Sequence, residues 1–82
     1  MRDGILTSIQ RSILAMAAAG KSNAQIAQAL QLSKRTVDTH MRNTFEALRV
    51  SDRTSAVVLA AHHGEIDLAV AAGVILAEQD DG

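Results

Sequence analysis

The chain contains no cysteine, proline, tryptophan or tyrosine, and Phe45 is its only phenylalanine. Without cysteine there is neither a disulfide framework nor a thiolate zinc site, which suits a reducing cytoplasm, the expected compartment. A single Phe leaves no aromatic platform on which the bases of single-stranded RNA could stack. No stretch approaches the roughly 20 apolar residues of a membrane span, and Met1-Arg2-Asp3-Gly4 leads into no signal-peptide core, so no membrane partner is expected. With 82 residues there is room for one small core but not for a deep site walled by several elements. His62 and His63 are adjacent and so point to different faces of a helix, and no cysteine or close carboxylate completes a ligand set with His40. The expectation is a binding module with no cofactor, no metal and no catalytic residues.

What the chain does contain is unevenly spread. The formal net charge is −1, yet all eight Lys and Arg residues lie within residues 1–53, with four acids: Asp3, Asp38, Glu46 and Asp52. Residues 54–82 carry no Lys or Arg and five acids: Glu65, Asp67, Glu78, Asp80 and Asp81. A basic front and an acidic tail is the asymmetry expected when one surface meets phosphate and the rest does not.

Ala, Leu, Ile and Val supply nearly all the apolar content, and with no proline to interrupt them they favour helices. Thr7 with Gln10 forms a capping-box pattern, Ile9, Ile13, Met16 and Ala17 recur at helical spacing, and Gly20 closes the helix. Ser22 with Gln25 repeats the start signal for a short helix carrying Ile26, Ala27 and Leu30, and Gln31-Leu32 forms a turn. Ser33 caps a longer third helix. Val37, Met41, Thr44, Phe45 and Leu48 share one of its faces, and Arg35, Asp38, Thr39, Arg42, Glu46 and Arg49 share the opposite one. Ser51 is expected to open a fourth helix to about His63, stopped by Gly64 and apolar on every side. Leu68 to Ala77, with Asp67 as its cap, is a further apolar run too short for a bilayer.

Two short helices joined by a tight turn, the second with a basic, capped first turn, form a helix-turn-helix pattern. The residues that carry it are Leu6-Thr7, Leu14, Ala18-x-Gly20-x-Ser22-Asn23-x-x-Ile26-Ala27-x-x-Leu30, Ser33-x-x-Thr36-Val37-x-x-His40-x-x-Asn43 and Leu48-x-Val50-x-x-Arg53-Thr54-x-Ala56-Val57. This string resembles the LuxR/GerE-type DNA-binding domain over about residues 6 to 66. The resemblance implies an all-α fold: a four-helix LuxR-type helix-turn-helix domain over residues 1–66, followed by a short apolar C-terminal helical extension and acidic end over 67–82. It also implies a transcriptional regulator whose third helix enters the DNA major groove and whose fourth makes a two-fold contact. Members of the family usually carry Lys where this chain has Asp38 and Ala47, and Glu where it has Gln10. Such domains often follow a receiver or signal-binding domain, and residues 1–5 by themselves are not expected to hold one.

The expected partners are double-stranded DNA, a second copy of the chain and, in an alternative reading, a regulator. Arg42 can fork onto guanine, the Thr39 methyl can meet a thymine methyl, and Asp38 can accept from a cytosine amino group or pair with Lys34 or Arg42 along the helix. Lys21, Ser33, Lys34, Arg35, Thr36, Arg49 and Arg53 are candidates for phosphate contacts, which fix register without reading sequence. Val57, Val58, Ala60 and Ala61 are candidates for the dimer contact. The alternative is an interaction module derived from a helix-turn-helix, pairing with a regulator and binding DNA weakly or not at all. Asp38, Ala47 and the acidic end favour it.

Overall fold

The computed structural model describes residues 4–79, in which every regular element is an α-helix. They are α1 (Ser8–Ala18), α2 (Asn23–Leu30), α3 (Lys34–Leu48), α4 (Arg53–His62) and α5 (Leu68–Gln79). The all-α architecture is as expected. The apolar extension proves to be a helix of 12 residues, longer than the 8 of α2. Of the acidic end, Asp80 and Asp81 lie outside the described residues.

Short-range chemistry sets the helix boundaries. Both capping boxes form: the Thr7 hydroxyl accepts from Gln10 N–H while the Gln10 side chain accepts from Thr7 N–H, and Ser22 and Gln25 do the same. Asp52, not Ser51, caps α4, its carboxylate accepting from both Ser55 N–H and Ser55 Oγ at 2.8 Å. The reason for the shift is that Val50 N–H is used to close α3 on Phe45 C=O, which leaves Ser51 as the linker. Four helices end in the same way, with a residue two or three positions past the helix bonded back to a carbonyl five positions earlier: Lys21 to Met16, Leu32 to Ala27, Val50 to Phe45 and Glu65 to Ala60. Each such ending needs a left-handed residue. Gly20 and Gly64 supply it cheaply, whereas Gln31 and Arg49 adopt φ 59 despite their side chains.

The core is small and shared by four helices. Ile13 and Leu14 of α1, Ile26 of α2, Val37 and Thr44 of α3, and Ala56 and Ala60 of α4 are wholly enclosed, with Leu6, Ala17, Ala27, Met41 and Leu48 around them. Thr44 is the one buried polar residue among the described residues, and its hydroxyl donates to His40 C=O at 2.8 Å. Packing this side of α3 inward turns Arg35, Asp38, Arg42, Glu46 and Arg49 outward. Only Ala71 of α5 is buried, against α1.

Candidate nucleic-acid interface

The outward side of α3 carries a straight row, Arg35, Thr39, Arg42, Glu46 and Arg49, at spacings of four and three residues. The guanidinium groups of Arg35, Arg42 and Arg49 are exposed and have no hydrogen-bond or ion-pair partner among the described residues. The Thr39 hydroxyl donates to Arg35 C=O at 3.1 Å, which leaves its methyl as the group it can offer. At the head of the helix Ser33 Oγ accepts from Thr36 N–H and donates to Thr36 Oγ1.

The remaining expected phosphate cations are held by the protein itself. Lys34 Nζ donates to Asp38 Oδ2 at 3.1 Å, one helical turn apart. The other carboxylate oxygen, Oδ1, accepts from Asn23 Nδ2 at 2.7 Å. Of the two helix partners open to Asp38 in the sequence, the structure chooses Lys34 over Arg42. The Asn23 amide and then the Lys34 ammonium hold the Asp38 carboxyl below its ordinary pKa. Asn23 Oδ1 in turn accepts from Arg53 Nη1 at 3.0 Å, and Arg53 Nη2 donates to Lys21 C=O at 2.6 Å. The Lys21 ammonium is ion-paired with Glu78 of α5.

The α4 face is narrower than its composition implies. Val58 is 60% exposed, and Val57 and Ala61 are half-buried, so these three can meet another surface. Ala60 is 0% exposed and belongs to the core with Ala56. It is withdrawn from the expected contact set, because a methyl group enclosed by its own chain has no surface to offer a partner.

Three residues that organise this region had no role in the sequence reading: Asn23, Glu65 and Glu78. Asn23 stands in the Ser22-Asn23 motif, but its partners lie 15 and 30 residues away, beyond any helical spacing. Glu65 is 7% exposed at its side chain, accepts from Leu6 N–H at 3.0 Å and faces Arg11 at 3.7 Å. These contacts, the Leu6 amide first, hold its carboxyl below the ordinary value against the opposing effect of burial. Gly4 fits beside it, since a Cβ there would come within 2.5 Å of Glu65 Oε2. No helix among the described residues is long and apolar enough to cross a membrane.

Residues 4–60, which hold the whole of α1 to α3 and most of α4, match the family described as "Bacterial regulatory proteins, luxR family". The chain is 44% identical over 64 residues to "Uncharacterized transcriptional regulatory protein YhcZ" of Bacillus subtilis, an alignment covering 74% of this chain and 30% of that protein. It is 42% identical over 62 residues to "Response regulator protein VraR" of Staphylococcus aureus, covering 76% of this chain and again 30% of the relative. The chain thus spans about 30% of the length of these relatives. Among solved structures, "Structure of Transcription factor, GerE" superposes with a TM-score of 0.77 at 32% identity, covering 80% of this chain and 98% of the other.

Proposed function

The chain belongs to the luxR family of bacterial regulatory proteins, and from that premise we propose that it binds double-stranded DNA in a sequence-specific manner as a homodimer, with α3 in the major groove. The observation that carries this reading is the row of three exposed arginines on the outward side of α3, without partners among the described residues. An exposed guanidinium presents a planar fork of donors that matches both phosphate oxygens and the O6/N7 edge of guanine. Arg42, in the middle of the row, reads a base edge, and the Thr39 methyl meets a thymine. Arg35 and Arg49, with the Ser33 and Thr36 hydroxyls at the helix head, contact phosphates. Lys21, Lys34 and Arg53 join them to the extent that their internal partners release them, and Asp38 acts as a third reader only after leaving Asn23 or Lys34. The DNA-binding unit is residues 1–66, and α5 is an accessory to it. Two copies meet through Val57, Val58 and Ala61 of α4. The work is binding without catalysis, in the cytoplasm where bacterial DNA lies.

A second reading, an interaction module that binds a regulator and scarcely binds DNA, is favoured by Asp38 on Lys34, Glu78 on Lys21 and the exposed apolar residues of α4 and α5. A titration of random duplex from about 50 to about 200 mM salt separates the two. The two free cations assigned to phosphate, Arg35 and Arg49, predict a linear fall of log affinity against log salt with a slope of about −2 per protomer. A folded protein with no measurable duplex affinity at the low-salt end sinks the first reading and leaves the second.

A further inference from the structure

The helix α5 lies beside α1 and runs in the same direction. Its approach is fastened at the start of α1, where Glu65 accepts from Leu6 N–H and faces Arg11. Its last turn reaches just past the other end of α1, where Glu78 pairs with Lys21. Between these points the attachment is thin. Ala71 is buried and Ile75 half-buried, while Val70 and Val74 border an open groove of about 750 Å³ against Met16, Gln25 and Gln28. Apolar burial stabilises in proportion to area, so a helix that leaves Leu68, Val70 and Leu76 exposed is bound weakly along its length. Its C-terminal position then depends on Glu78.

The cation that Glu78 holds is part of the candidate interface. The carbonyl of Lys21 accepts from Arg53, Arg53 donates to Asn23, Asn23 donates to Asp38, and Asp38 accepts from Lys34 in the first turn of α3. Lys21 is therefore tied through three side chains to the helix that faces DNA. A carboxylate on its ammonium offers the same anionic acceptor as a phosphate oxygen, and the two cannot both occupy it at full strength. We propose that α5 is an autoinhibitory strap, with Glu78 on Lys21 standing in for a DNA phosphate, so that docking of α5 and binding of duplex compete. This inference rests on the reading of the chain as a duplex binder. The helix α5 lies outside residues 4–60, which match the family.

The test uses the full chain and random duplex DNA, comparing the wild type with Glu78→Gln, Lys21→Met and the double variant, and with Glu78→Lys as a stronger opening of the strap. An exposed ion pair limits the effect, so Glu78→Gln is expected to tighten binding about two- to fivefold. The salt slope steepens by about 0.9 as Lys21 becomes free for phosphate. In the Lys21→Met background the same substitution is expected to change neither affinity nor slope, the cycle isolating the pair. Glu78→Lys exceeds Glu78→Gln. Equal affinity of the wild type and both Glu78 variants overturns the strap and leaves duplex binding standing. An equal gain with and without Lys21 also overturns it, since the gain is then general charge. Absence of duplex binding in every variant overturns both the strap and the functional reading beneath it.

Discussion

The outward row of α3 and the corner where α1, α2 and α4 meet it carry the same number of expected DNA-contacting cations, in opposite states. Arg35, Arg42 and Arg49 stand free among the described residues, whereas Lys21, Lys34 and Arg53 are held by Glu78, Asp38 and the Asn23–Lys21 carbonyl pair. Formal charge does not separate the two sets. A free guanidinium brings its full charge to a phosphate, while a held one must first break an internal bond, so on the proposed reading the first set is expected to contribute most to duplex affinity. The corner contributes rigidity instead, joining three helices through side chains around Asn23.

The largest way to break this contrast is to remove the held arginine. Arg53→Met deletes two charge-assisted hydrogen bonds, at 2.6 and 3.0 Å, and leaves the Lys21 carbonyl without its partner. The expected loss is about 3 kcal/mol of folding stability, a fall in Tm on the order of 10–20 °C by thermal denaturation. The free set should behave in the reverse manner. Arg42→Ala should leave Tm nearly unchanged and cost about 1–3 kcal/mol in duplex affinity, with relaxed preference at one base pair when sites are selected from a random pool. An Arg42 variant that melts early, or an Arg53 variant that melts like the wild type, reverses the assignment of the two sets.

A smaller effect sharpens the comparison by pH. The Glu65 carboxyl is held below its ordinary pKa in the folded chain, so the unfolded chain binds the extra proton and stability rises with pH across that interval. The contribution is fully present above the ordinary glutamate value of about 4.3 and is lost as pH falls through the lowered one. Tm should therefore drop as pH falls below the ordinary glutamate value of about 4.3, and Glu65→Gln, which still accepts from Leu6 N–H, should flatten that drop. An unaltered acid profile in this variant removes Glu65 from the account.

Most of the helical framework was legible from local spacing. Thr7 with Gln10 and Ser22 with Gln25 act across three residues, and the stripe Val37, Met41, Thr44 and Leu48 follows the helical repeat, so neighbours in sequence are also neighbours in space. Gly20 and Gly64 marked two helix ends, and Gln31-Leu32 was read as the turn between the second and third helices. The left-handed Arg49 carries no such mark. Ser51 for Asp52 was an error of one residue, and it arose because the closing bond of α3 consumes Val50.

The sequence by itself determined the all-α class, most of the caps, the core stripe and the identity of the cations on the outward side of α3. Each of these depends on residues at most a few positions apart, or on the family motif they spell. Lys34 is held by Asp38 at the helical spacing of four that the sequence offered, but whether Lys21 and Arg53 are free was decided only by tertiary structure. The bonds that answer it join residues 15, 30, 32 and 57 positions apart, Asn23 to Asp38, Asn23 to Arg53, Lys21 to Arg53 and Lys21 to Glu78. No helical periodicity spans such distances. The same holds for Ala60 and Val58: both are small apolar residues on one helix, and the direction from which α1 and α3 pack on α4 encloses the first and exposes the second.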